Sequence, residues 1–179
     1  MSIKIIKPGP PINESAIEKL EQELSKSLPD EYRAFILEYN GGEPDTNIFP
    51  VDQLGEEGVI GFFGIRGSGK NGDVLGERIR MAERVPSLFL PIAEAEGGNL
   101  VCLSLREKDY GAVWFWDHEE EAEEGAEPTY RNLYVISDSF KKFWGSLQQF
   151  DPSQVELKEG QVEEAWIAPE FLKELEGGS

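Results

Sequence analysis

The sequence predicts an α+β fold: a single domain with a mainly antiparallel central sheet and helices at the N-terminus and after the last strand. Three observations carry this reading. Apolar side chains recur at helical spacing from residue 13 to residue 40, short apolar runs separated by turn residues follow, and a capped helical pattern returns near residue 140. The length of 179 residues suits one domain and suffices to bury a core without disulfides or metal.

The first helix is expected after Asn13, where Ser15 and Glu18 have capping-box spacing, with Ile17, Leu20 and Leu24 on one face. Pro29 suits the first turn of a second helix reaching Tyr39, with Tyr32, Phe35, Ile36 and Tyr39 on its apolar side. Asn40-Gly41-Gly42 supplies a left-handed stop. Strands are expected at Asn47 to Val51 and Val59 to Gly64, then a loop from Arg66 to Gly72. Asp73 is placed to cap a third helix through Arg84, using Val74, Leu75, Ile79 and Ala82. Leu88 to Ala93 reads as a strand and Gly97-Gly98 as a turn. Leu100 to Leu105 and Ala112 to Asp117 read as a hairpin, apolar on both faces and so central and covered on both sides. Leu133 to Ile136 is a further strand, after which Ser137-Asp138-Ser139 caps a helix carrying Phe140, Phe143, Trp144 and Leu147. Residues 1–150 make up the domain. Residues 151–179 form an acidic C-terminal extension with a last helical stretch from Pro169 to Leu175, and Trp166 and Phe171 are expected to dock it on the domain.

The charge narrows the function. The chain carries 35 acidic and 17 basic side chains, a net −18, which argues against nucleic acid and against an anionic membrane surface. No apolar run is long enough for a signal peptide or a membrane helix, and the single cysteine fits a reducing compartment, so a cytoplasmic protein is expected. The densest block, Asp117 to Glu127, holds seven acids (Asp117, Glu119, Glu120, Glu121, Glu123, Glu124 and Glu127) and no Lys or Arg. Such a run reads either as a solvated loop or as a docking surface for a basic partner.

Catalytic chemistry is poorly supplied, and no catalytic, cofactor or metal residues are expected. Gly64 to Lys70 matches the G-x-x-x-x-G-K part of a phosphate loop. Asn71 stands where a Ser or Thr should bind magnesium, and Gly72-Asp73 interrupts where the helix should start. A hairpin turning near residues 108–109 pairs Leu103 with Trp114 and Val101 with Trp116. That register puts Cys102 on one face with Phe115, and His118 on the other with Trp114 and Trp116, which disfavours a Cys–His pair. Asp117 to Glu121 lacks the paired His or Cys ligands of a zinc site and the glycine turn of a calcium loop.

Leu28-Pro29 through Asn40-Gly41-Gly42, Leu90-Pro91-Ile92-Ala93 with Gly98 to Leu103, Val113 through Glu119, and Ile136 through Phe143 follow one another along the chain. Taken in that order, these four segments resemble the SUKH superfamily, which includes the yeast Smi/Knr cell-wall assembly regulator and bacterial relatives. The resemblance implies a compact α+β domain without established catalytic residues. Bacterial members act as immunity proteins that neutralise a cognate toxin, often a nuclease, and fungal members as intracellular regulatory scaffolds. The expectation is a non-enzymatic binding protein, of immunity type or alternatively a scaffold, with its acidic segment facing a basic toxin domain.

Overall fold

The first helix, α1 (Glu14–Leu24), starts at the expected place, but Asn13 rather than Ser15 caps it. The Asn13 carboxamide oxygen accepts from the Ala16 amide at 3.2 Å, which leaves Ser15 inside the first turn. Ile17 and Leu20 are buried and Leu24 half-buried, the amphipathic pattern realised. Helix α2 (Asp30–Tyr39) follows Pro29 and buries Tyr32, Phe35 and Ile36. It ends at Asn40 in the left-handed region, with φ 50°, and Gly41 and Gly42 continue at φ 79° and 117°. The computed structural model describes residues 3–67 and 70–150. The helical stretch expected at Pro169 to Leu175 and the docking of residues 151–179 lie outside them.

Six strands follow in chain order across one antiparallel sheet: β1 (Ile48–Val51), β2 (Gly55–Phe62), β3 (Phe89–Ala95), β4 (Leu100–Ser104), β5 (Val113–Trp116) and β6 (Leu133–Ser137). Each strand neighbours the next, so the sheet is a meander, and it curls until β1 also touches β6. Strand β2 begins at Gly55 rather than Val59, because the polar Gly55–Gly58 stretch completes the β1 ladder from Val51 back to Ile48. Every residue of β4 is buried, as are all of β3 but Glu94, so the central strands are covered on both faces. The N-terminal arm adds a short bridge, Ile5 opposite Pro44, with the Ile6 amide donating to the Glu43 carbonyl at 2.7 Å.

The hairpin register differs by one residue from expectation. Leu103 faces Val113, Cys102 faces Trp114, Val101 faces Phe115 and Leu100 faces Trp116. Cys102 therefore shares a face with Trp114 and Trp116 rather than with Phe115, which reverses the facial argument against a Cys–His pair. The cause is the turn, where Glu107–Asp109 forms a short 3₁₀ segment, the Gly111 amide donates to the Ser104 carbonyl at 2.9 Å and the Ser104 amide donates to the Ala112 carbonyl at 2.8 Å.

Helix α4 (Phe140–Ser146), capped by Ser139, packs with α2 on one face of the sheet. Phe35 lies 4.9 Å from Phe62, 5.0 Å from Phe140 and 5.2 Å from Trp144, ring centre to ring centre. Phe49 extends this aromatic core to Phe115 and Phe143. Helix α3 (Val74–Arg80) packs on β3 and is shorter than expected. Past Arg80 the chain turns, with Pro86 ahead disfavouring helix at Val85. Val74, Met81 and Val85 are buried, while Ile79, on another face of the helix from Val74, and Ala82 face outward.

Candidate functional site

The acid-rich segment expected to meet a partner is the loop joining β5 to β6, and both of its ends are fixed. At the start, Asp117 and Asn132 pair through backbone and side chain. The Asp117 amide donates to the Asn132 carbonyl at 3.0 Å, and the buried Asn132 carboxamide donates to the Asp117 carbonyl at 2.7 Å. The Asp117 carboxylate accepts from the Glu119 amide at 2.9 Å, an Asx-type turn that aims the chain away from the sheet. Next to it, the Asn99 side-chain oxygen accepts from the His118 amide at 3.0 Å and from Nδ1 of its ring at 2.9 Å. Because that atom receives a backbone N–H it must be the oxygen, so His118 carries its proton on Nδ1.

Midway, Glu121 turns back toward the domain. Its two carboxylate oxygens accept from Arg84 Nε and Nη2 at 2.7 and 2.8 Å, and the Arg84 guanidinium lies 5.2 Å from the centre of the Trp116 ring. The planar fork suits both contacts at once. Glu119, Glu120, Glu123, Glu124 and Glu127 are exposed, and among the described residues none of them is in an ion pair. Of the seven acids singled out, the structure thus gives Asp117 and Glu121 structural partners and presents the other five to solvent.

Further carboxylates approach from the neighbouring strands. Partial burial, together with the negative charges of Glu96 and Asp117, raises the Glu57 carboxyl above its ordinary value. Negative potential therefore extends from the loop onto the adjoining end of the sheet. Arg84, Asn99 and Asn132 were not singled out from the sequence. Their contacts with the loop span 37, 19 and 15 residues, and nothing in the local pattern marks them.

The remaining candidates resolve differently. The Gly64–Lys70 loop directs the Arg66 and Gly67 amides, at 2.7 and 3.0 Å, onto the Asp73 carboxylate, whose other oxygen caps α3 at Gly76. A side chain of the protein itself thus takes the position an anion would occupy. Cys102 is fully buried, and burial pushes its thiol far above the ordinary range, away from the reactive thiolate. No group of three or more His, Cys, Asp or Glu residues among the described residues could hold a metal ion, and no described helix is long and apolar enough to cross a membrane.

A six-strand antiparallel meander faced by helices, with a braced acidic loop at one sheet end, defines an α+β domain whose most distinctive exposed feature is a charged surface. The chain belongs to the SMI1/KNR4 family (SUKH-1), whose model matches residues 11–146. That match spans all four segments on which the resemblance was drawn. The chain is also similar to the SPbeta prophage-derived uncharacterized protein YokK of Bacillus subtilis (strain 168), at 27% identity over 150 residues, covering 73% of this chain and 72% of that protein.

Proposed function

We propose that the protein is a non-enzymatic binding protein of the immunity type, which neutralises a cognate toxin by covering a basic surface on it with the β5–β6 loop. One observation carries the reading. The loop is braced at Asp117, His118 and Glu121, yet it leaves five carboxylates free, an arrangement that spends two acids on geometry and presents the rest. A nuclease toxin needs positive charge to hold phosphates, and a preformed negative surface would meet it with little ordering cost. Similarity to a prophage-derived protein sits with the bacterial branch of the family rather than with the fungal scaffolds. The buried Cys102 and the self-occupied Gly64–Asp73 loop fit a protein without catalysis.

The test is co-expression with the product of the neighbouring reading frame. Rescue from growth arrest is expected, and reversing Glu119, Glu120, Glu123 and Glu124 to Lys should weaken binding at least tenfold, chiefly by slowing association. A harmless neighbour would instead support the scaffold reading. Rescue with unchanged affinity in the reversed variant would keep the immunity role and remove the loop as its surface.

A further inference from the structure

A groove of about 290 Å³ lies between α1 and the α3 region. Leu24, Leu75, Ile79, Leu88 and Leu105 wall it. Ile79 is 65% exposed, more than any other large apolar side chain among the described residues. A second hollow floored by Leu20 and Ile65 continues it through the shared residues Leu75 and Glu23. Lys26 and Arg78 line the first hollow and Lys19 the second. Among the described residues none of these three cations is in an ion pair. Glu23 and the α3-capping Asp73 also line the hollows, so three cations stand against two acids, and in a chain of net charge −18 this slight positive excess is joined to unsatisfied apolar area.

The same chain carries the complement. Residues 151–179 hold eight acidic and two basic side chains, interleaved with Val162, Trp166, Ile167, Phe171, Leu172 and Leu175. Within the stretch expected from Pro169 to Leu175, Phe171 and Leu175 lie four residues apart, the interval a helix would place along one face, and Pro169 suits its first turn. We propose that residues 162–175 occupy the α1–α3 groove of their own chain, with apolar side chains against Leu75, Ile79 and Leu88 and acids toward Lys19, Lys26 and Arg78. Reach is sufficient. The residues between Phe150 and Val162 can span roughly 35–40 Å, about the diameter of a domain of this length. The proposal stands apart from the acidic loop's role, since the groove and loop share no lining residue.

The experiment uses the intact chain with a nitroxide at Gly178→Cys; fully buried Cys102 does not compete for the label. Broadening of amide signals in residues 19–26 and 75–88 is expected. It should disappear when Ile79→Glu is added, an exposed substitution that leaves the core untouched. Three results would overturn the proposal: broadening absent or confined to other surfaces, broadening unchanged by Ile79→Glu, or broadening of an isotope-enriched unlabelled chain mixed with labelled chain. The last would make a second copy the occupant.

Discussion

Asn40 joins three stretches of chain through one carboxamide. Its nitrogen donates to the carbonyls of Pro10 at 2.8 Å and Ile65 at 3.2 Å, and its oxygen accepts from the Ile65 amide at 2.6 Å. It does this while buried and left-handed, a conformation asparagine tolerates better than alanine does. Asn40→Ala should therefore cost about 3 kcal/mol in urea unfolding, from orphaned backbone groups and left-handed strain together. A loss below about 1 kcal/mol would mean that water replaces the carboxamide. Two carboxylates make opposite predictions for pH. Partial burial opposes the charged form of Asp109, but hydrogen bonds from Arg106, Ser104 and Trp114 outweigh it and hold the carboxyl below its ordinary value. Its contribution is present above the unfolded pKa, about 3.9, and is lost as pH falls through the folded value. Glu57 is raised, so its contribution is present in acid and lost as pH rises through the folded value; its charge weakens the fold at neutral pH. Glu57→Gln should raise the melting temperature at pH 7 and change it little near pH 4. Asp109→Asn should lower it at pH 7, the difference narrowing in acid.

At the scale of elements, the central hairpin sets how the core opens. Cys102 lies in β4, fully buried between β3 and β5, with its thiol held protonated by burial. Its labelling by a thiol reagent should need unfolding of the sheet, so the rate should climb with urea in step with global unfolding. Fast labelling in water would show instead that the β4–β5 pair opens locally. The elements themselves were readable from the chain because their signals are local. Asn40-Gly41-Gly42 ends α2, Asp73 begins α3 and Ser139 begins α4, each by a cap that spans three or four residues. What escaped were quantities needing single-residue precision or long-range contact. The hairpin register depended on a turn that used a 3₁₀ segment, and the outward Ile79 depended on Val74 and Met81, rather than Ile79, facing the core. The candidate site was legible as a run of acids, but its bracing was not, since Arg84 meets Glu121 only after the sheet has folded. Composition could not say which two of the seven acids have structural work.

At the scale of the whole molecule, charge is segregated rather than merely large. Residues 1–90 carry fifteen acids against ten bases, and residues 91–179 carry twenty against seven. The loop concentrates part of this excess where Glu96 and Asp117 already repel Glu57. Compact folding therefore works against self-repulsion that salt can screen, since the Debye length falls from about 30 Å at 0.01 M to about 8 Å at 0.15 M. The melting temperature at pH 7 should rise over that range of sodium chloride. Reversing Glu119, Glu120, Glu123 and Glu124 to Lys should flatten the rise, because it removes repulsion at its densest point. The same salt should slow association with a basic partner, so stability and association rate are expected to move in opposite directions from one cause. Calorimetric scans of the two proteins across the salt series separate the possibilities. Parallel responses would mean that the repulsion is spread through the chain. The loop's part in binding would then rest on association kinetics alone, which the charge-reversed variant reads independently of stability.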